Sequence, residues 1–146
     1  MSNVNKPIQA DIEIVVRAFR NRLETADHSK LHEVFKSFPR GSCGAASDVL
    51  STLLERRFEI KPKIARAWLD HNGERWSHGW LETQGLTIDV TADQFGQEAV
   101  IVSRSSWWHA QLKDVERARF EFDGAWWGMV GASVWPLVSD LANAPS

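Results

Sequence analysis

Residues 64–90, IARAWLDHNGERWSHGWLETQGLTIDV, decide the fold. Three runs rich in branched and aromatic residues, IARAWLD, WSHGWLE and LTIDV, are separated by HNGE and TQG. Asn72-Gly73 is a strong hairpin signal, because a type I′ turn needs positive φ at both central positions. The second break turns at Gln84-Gly85 or at Thr83-Gln84, and the glycine gives the former the better turn chemistry. The stretch therefore reads as an antiparallel meander.

Register decides which side chains meet. A two-residue loop at Asn72-Gly73 sets His78 opposite Ala67. A loop at Thr83-Gln84 puts His78 opposite Asp89. A loop at Gln84-Gly85 pairs Trp80 with Asp89 and leaves His78 diagonal to it. In both registers His78 and Asp89 leave the sheet on one face, with Cβ atoms about 5 Å apart if opposite and roughly 7–8 Å if diagonal. Either spacing permits a histidine–carboxylate hydrogen bond. Ala65, Ala67, Trp76, Trp80, Thr87 and Thr91 share that face, and Ala67 is small enough to leave space beside the imidazole. The other face, with Ile64, Trp68, Gly79, Leu81, Leu86, Ile88 and Val90, is more uniformly apolar. A charged pair on the first face wants a partner.

Upstream, Ile8, Ile12, Val15, Val16, Phe19 and Leu23 predict a helix over 8–25. A shorter helix carries Leu31, Val34 and Phe35 and stops before Pro39. From Ser42 to about Arg57, Ala46, Val49, Leu50, Leu53 and Leu54 form one stripe with polar residues opposite, an amphipathic helix whose last turn is suited by Arg56 and Arg57. Downstream, EAVIVS (98–103) is a fourth, buried strand and ARFEF (118–122) a fifth, ended by Asp123-Gly124. The tail reads as helical from about Ser133. Helices followed by a meander give a single α+β domain over residues 1–146, N-terminal helices packed on an antiparallel sheet.

The composition, 43% hydrophobic and 25% charged, is that of an ordinary globular chain. A net charge of -2 argues against nucleic acid or an anionic membrane as an obligatory partner. One cysteine permits no intrachain disulfide and suits a reducing compartment. The start, MSNVNKPIQADIE, lacks the features of a signal peptide, and no run approaches transmembrane length. The expectation is a cytoplasmic protein.

The lone cysteine lies in FPRGSCGAASDVL (38–50), between two glycines, at the start of the amphipathic helix. It is either a small buried apolar group or a reactive sulfur at a helix N-terminus. The thiolate is the nucleophile, and its pKa falls at a helix N-terminus and beside an imidazolium. Gly41 and Gly44 let backbone and substrate come close, and first-turn N–H groups suit an oxyanion. With Cys43 as nucleophile, His78 as base and Asp89 fixing the imidazole tautomer, the chemistry is acyl transfer, which needs no metal or cofactor.

Other residues are candidates for lesser roles. Trp76 and Trp80, on the same face, form a substrate wall or pack in the core. Gln94, an indole N–H or another backbone amide could supply the second oxyanion donor. Asp93 suits an N-cap or Asx-turn. His28 and His32, spaced i, i+4 beside Asp27 and Glu33, lack a third metal ligand. His71 is a solvated turn residue. His109 is a rival base without an acidic partner. Arg17, Arg20 and Arg22 read as a solvated helix face. Trp107, Trp108, Trp126, Trp127 and Trp135 pack or form a partner surface.

The glycine-flanked cysteine opening a helix, the HGWLE strand and the glycine turn followed by IDVTADQF together resemble the transglutaminase-like branch of the papain-like cysteine fold. The resemblance covers about residues 38–103. It implies a papain-like core with Cys43, His78 and Asp89 as catalytic triad, acting on a peptide, protein or small amide. It departs from the papain-like pattern at the glutamine such peptidases place shortly before the cysteine; Ser37 and Arg40 stand in that stretch. Fold alone does not choose between hydrolysis and transamidation. The alternative is a non-catalytic interaction module that keeps the fold and binds through its tryptophans.

Overall fold

A computed structural model describes residues 9–144. Helix α1 (Gln9–Glu24) turns Ile12, Val15, Val16, Phe19 and Leu23 to the core; its expected start at Ile8 lies outside the described residues. In place of the expected second helix stand two 3-10 turns, His28–Lys30 and Glu33–Phe35. Asp27 accepts from the Ser29 N–H and His32 from the Val34 N–H. Such local side-chain bonds compete with helix propagation, which is why the segment stays in short turns. Helix α2 (Cys43–Phe58) then runs as expected, its Val49, Leu50, Leu53 and Leu54 fully buried.

Strands β1 (Lys63–His71), β2 (Glu74–Thr83) and β3 (Leu86–Asp89) form the meander. Ala67 pairs with His78, as the first turn dictates. Thr83 pairs with Leu86 and Leu81 with Ile88, so the second loop is Gln84-Gly85. Both loops carry positive φ at both positions: 51° and 78° at Asn72-Gly73, 54° and 75° at Gln84-Gly85. Strand β4 (Ile101–Ser103) pairs with β3. A one-turn helix, α3 (Trp107–Ala110), leads into β5 (Lys113–Arg119), which returns to β1. The sheet is antiparallel, in the order β4-β3-β2-β1-β5.

Three expectations about the second half are corrected. The fourth strand covers only Ile101–Ser103 of the expected 98–103, with Val102 alone buried, because β3 ends at Asp89, the partner of Ile101. The fifth strand begins at Lys113 and ends at Arg119, earlier than ARFEF suggested; Asp114, at φ 54°, inserts a bulge opposite the Arg66–Trp68 stretch. The tail is helical from Gly124, not Ser133: α4 (Gly124–Trp126), a wide turn over Trp127–Gly131, α5 (Ala132–Val138) and a 3-10 turn, Ser139–Ala142. Asp123 accepts from the Ala125 and Trp126 N–H groups, so the Asp-Gly pair starts a helix. Gly131 is required by packing, because a Cβ there would lie 2.5 Å from the Trp127 ring.

The helices and Leu81, Leu86, Ile88 and Val90 from the sheet bury one continuous core. The opposite face holds a smaller cluster of Ala65, Ala67 and Trp80, flanked by Leu112 and Val115. Ala67, opposite His78, is buried in this cluster. Among the described residues no helix is long and apolar enough to cross a membrane.

Candidate active site

The start of α2 is left open by Ser42. Its hydroxyl turns away to the Val34 and Arg40 carbonyls, 2.9 and 3.2 Å, and does not cap the helix. The first helical bond, Ala46 N–H to Ser42 O, leaves the amides of Cys43, Gly44 and Ala45 ahead of it without helical partners. Cys43 is half-buried. A Cβ on Gly44 would meet nothing within 4 Å, so open space lies beside the residue that carries the sulfur.

Strand pairing brings β2 to this helix end. The last β2–β3 pair is Leu81 with Ile88. Past it the Gly79 N–H is directed at the Cys43 thiol, and the His78 ring lies beside the same sulfur. His78 Nε2 donates to Asp89 Oδ2 at 2.6 Å, and both residues are almost wholly buried, at 0% and 2% exposure. The other oxygen, Oδ1, accepts the Thr91 N–H at 2.9 Å, so it is Asp89 that makes an Asx-type turn. The three residues singled out from the sequence are brought together.

A second imidazole joins them. His109 Nε2 donates to the same Asp89 Oδ2 at 2.7 Å, and its Nδ1 accepts from the Ser106 hydroxyl. The expectation that His109 lacks an acidic partner is corrected. Its approach depends on how residues 104–108 fold back from β4, and no two-residue turn fixes that path. Around the two imidazoles stand Trp80, Phe95 and Trp108, the last two edge-on to His78 at 5.1 and 5.6 Å.

The charges follow from these contacts. Burial pushes the Cys43 thiol up, but the adjacent His78 imidazole, with the Gly79 N–H, outweighs it and holds the thiol below its usual range. Burial disfavours an imidazolium, yet Asp89 and then Cys43 raise His78 to about 9. Burial also opposes charge on Asp89, but His109 and His78 hold its carboxyl down at about 2. His78 Nδ1 is buried without a well-aligned hydrogen bond. Its pull on the sulfur is therefore one of proximity and charge, a contact of the kind that tightens when substrate arrives.

One ligand atom from each of His78, His109 and Asp89 lies within 4.8 Å of the others, a set chemically able to ligate a metal. Their contacts of 2.6 and 2.7 Å are hydrogen-bond lengths. Ligand atoms held about 2.0–2.1 Å from a zinc ion would spread to more than about 3 Å. The cluster is built as a carboxylate bridging two imidazoles. His28 and His32 do not converge on a ligand: His28 Nε2 bonds the Leu23 carbonyl, and His32 Nδ1 accepts from Val34.

Trp76, 42% exposed, lines a cleft of about 260 Å³ together with Gln94, Phe95 and Arg40. His71, expected to be solvated, also lines this cleft and packs edge-on to Phe95. Trp80 does not reach it; it is buried, and its indole N–H bonds Glu82. The Gln94 amide nitrogen is buried without a partner among the described residues. Trp108 packs on the site, Trp126, Trp127 and Trp135 pack against the core, and Trp107 stands 75% exposed.

Arg20 is the residue sequence reasoning misread. It is 4% exposed, grips Asp93 with two bonds of 2.8 Å and donates to the Val90 carbonyl at 2.7 Å. Asp93 is accordingly an ion-pair partner, not a cap. The signal was present: Arg20 continues the Ile12–Val16 row at i+4, the buried stripe of α1. The chain matches no family model, no curated protein and no solved structure.

Proposed function

We propose that this chain is a cysteine-dependent acyl-transfer enzyme acting on amides, with a transglutaminase-like form of the papain-like core. Cys43 is the nucleophile, His78 the base and acid, and Asp89 the orienting carboxylate. One observation carries the reading: a buried 2.6 Å His78–Asp89 bond beside a half-buried thiol at the first turn of α2.

The thiolate attacks the carbonyl carbon, forming a C–S bond, and negative charge moves to the carbonyl oxygen. Amides of the first helical turn are the donors available to that oxyanion. Collapse breaks the C–N bond, and the departing amine takes the proton from His78. Water then attacks the thioester and gives its proton to His78. The C–S bond breaks, acid is released, and the thiolate–imidazolium pair is restored. An amine replacing water at this step gives transamidation by the same proton path. The His109 ring hydrogen-bonds Asp89 and Ser106, so His109 is a positioning residue.

The test is covalent. Incubation with p-nitrophenyl acetate is expected to add one acetyl group to Cys43, read by intact mass and peptide mapping, with release on adding hydroxylamine. Cys43→Ala abolishes the adduct, and His78→Ala slows it by about 10²–10⁴-fold. Absence of both the adduct and Cys43-dependent p-nitrophenolate release, or equal rates with and without His78, contradicts the proposal. Trp107 favours one other reading, an interaction module, in which Cys43→Ala leaves partner capture intact and Trp107→Ala removes it.

A further inference from the structure

The cleft beside the site is lined by the three segments that carry its three residues and by His71 and Asn72 at the end of β1 and its turn. Arg40 precedes Cys43 in the turn before α2, Glu74 and Trp76 precede His78 on β2, and Gln94 and Phe95 follow Asp89 in the 3-10 turn Ala92–Phe95. Cys43 and His78 do not line it themselves; Phe95 is the shared wall, edge-on to His78 at 5.1 Å. A group bound in the cleft would pack against Phe95, whose other neighbour is the His78 ring.

The lining has an unusual charge set. Arg40 is a cation and Glu74 an anion, and among the described residues neither side chain makes an ion pair or hydrogen bond, with each other or elsewhere. Trp76 offers a half-exposed aromatic face, and the Gln94 side chain forms part of the wall. A purely anionic ligand would meet Glu74, and a purely cationic one Arg40. A ligand carrying both charges is favoured by each. At about 260 Å³ the cleft sits just under the roughly 300 Å³ at which pockets enclose drug-sized molecules, so it takes an amino-acid-sized group.

We infer that the cleft binds the zwitterionic head of a small α-amino acid, its carboxylate on Arg40 and its ammonium on Glu74, and that the substrates are small amides bearing such a head. The choice of an amide rests on the acyl-transfer reading; the head-group recognition does not.

The test separates the two. L-glutamine, N-acetyl-L-glutamine and L-glutamine α-amide are titrated into ¹⁵N-labelled full-length Cys43→Ala protein, following the Trp76 indole and Gln94 side-chain amide resonances. L-glutamine is expected to bind about tenfold more tightly than either blocked form, about 1.4 kcal/mol. Arg40→Gln should erase the preference over the α-amide, and Glu74→Gln the preference over the N-acetyl form. Equal affinity for all three, or resonances that do not move, overturns the inference. If Cys43 of the wild type is acetylated by p-nitrophenyl acetate in a His78-dependent way without any head-group preference, the cleft inference fails and acyl transfer stands. Head-group preference with an inert Cys43 has the opposite meaning.

Discussion

A single carboxylate oxygen, Asp89 Oδ2, accepts from two imidazoles, and the site's protonation is arranged around it. His109 and His78 depress the Asp89 pKa to about 2, against burial that opposes them. A folded pKa below the unfolded value contributes stability that is present above about pH 3.9 and lost as pH falls toward 2. His109→Leu removes one donor, so the Asp89 carboxyl protonates at higher pH. The acid-unfolding midpoint, followed by circular dichroism, should move up; an unchanged midpoint would mean His109 contributes nothing to that charge. The His78–Asp89 pairing and the helix start at Cys43 were legible in the sequence because two tight turns and the apolar stripe of α2 fix where they go. His109 was not, since its position depends on tertiary folding of a longer connection. Arg20 was misread because a charged residue on an apolar row was assigned by type and not by phase.

Element by element, the two hairpins show why register could be counted. Each has a two-residue loop with positive φ at both positions, which leaves no freedom to slip. Gln84 is the less suited of the four loop residues, because an unbranched side chain gains nothing from the left-handed region that asparagine tolerates. Gln84→Asn creates an Asn-Gly turn like the first and should stabilise the fold by a few tenths to about 1 kcal/mol in urea unfolding. A destabilisation would contradict the assigned turn. Arg20 ties α1 to the segment following β3 through Asp93 and Val90. Arg20→Met leaves Asp93 and the Val90 carbonyl without their donor and should cost about 2–3 kcal/mol, less than a fully buried pair because Asp93 is partly exposed. A loss under about 0.5 kcal/mol would mean the pair is ornamental. Strand β5 and the C-terminal helices were poorly anticipated because a bulge at Asp114 and a cap at Asp123 redirect segments whose composition suits other structures.

For the whole molecule, the α+β order was readable: helices on one face of an antiparallel sheet, with the more apolar sheet face beneath them. What could not be read was the docking of α2 against β2, which sets Cys43 beside His78 and Gly79 just past the last β2–β3 pair. That docking is what turns a cysteine into a candidate nucleophile. The most direct test is the rate of Cys43 alkylation by iodoacetamide against pH, in the wild type and in His78→Ala. In the wild type the reactive form should persist below the ordinary thiol range of about 8.5, with reaction at pH 6–7 faster than that of a free thiol. In His78→Ala, burial without an imidazole should push the titration above that range. Superimposable profiles, or a wild-type thiol that titrates no lower than a free one, would contradict the account.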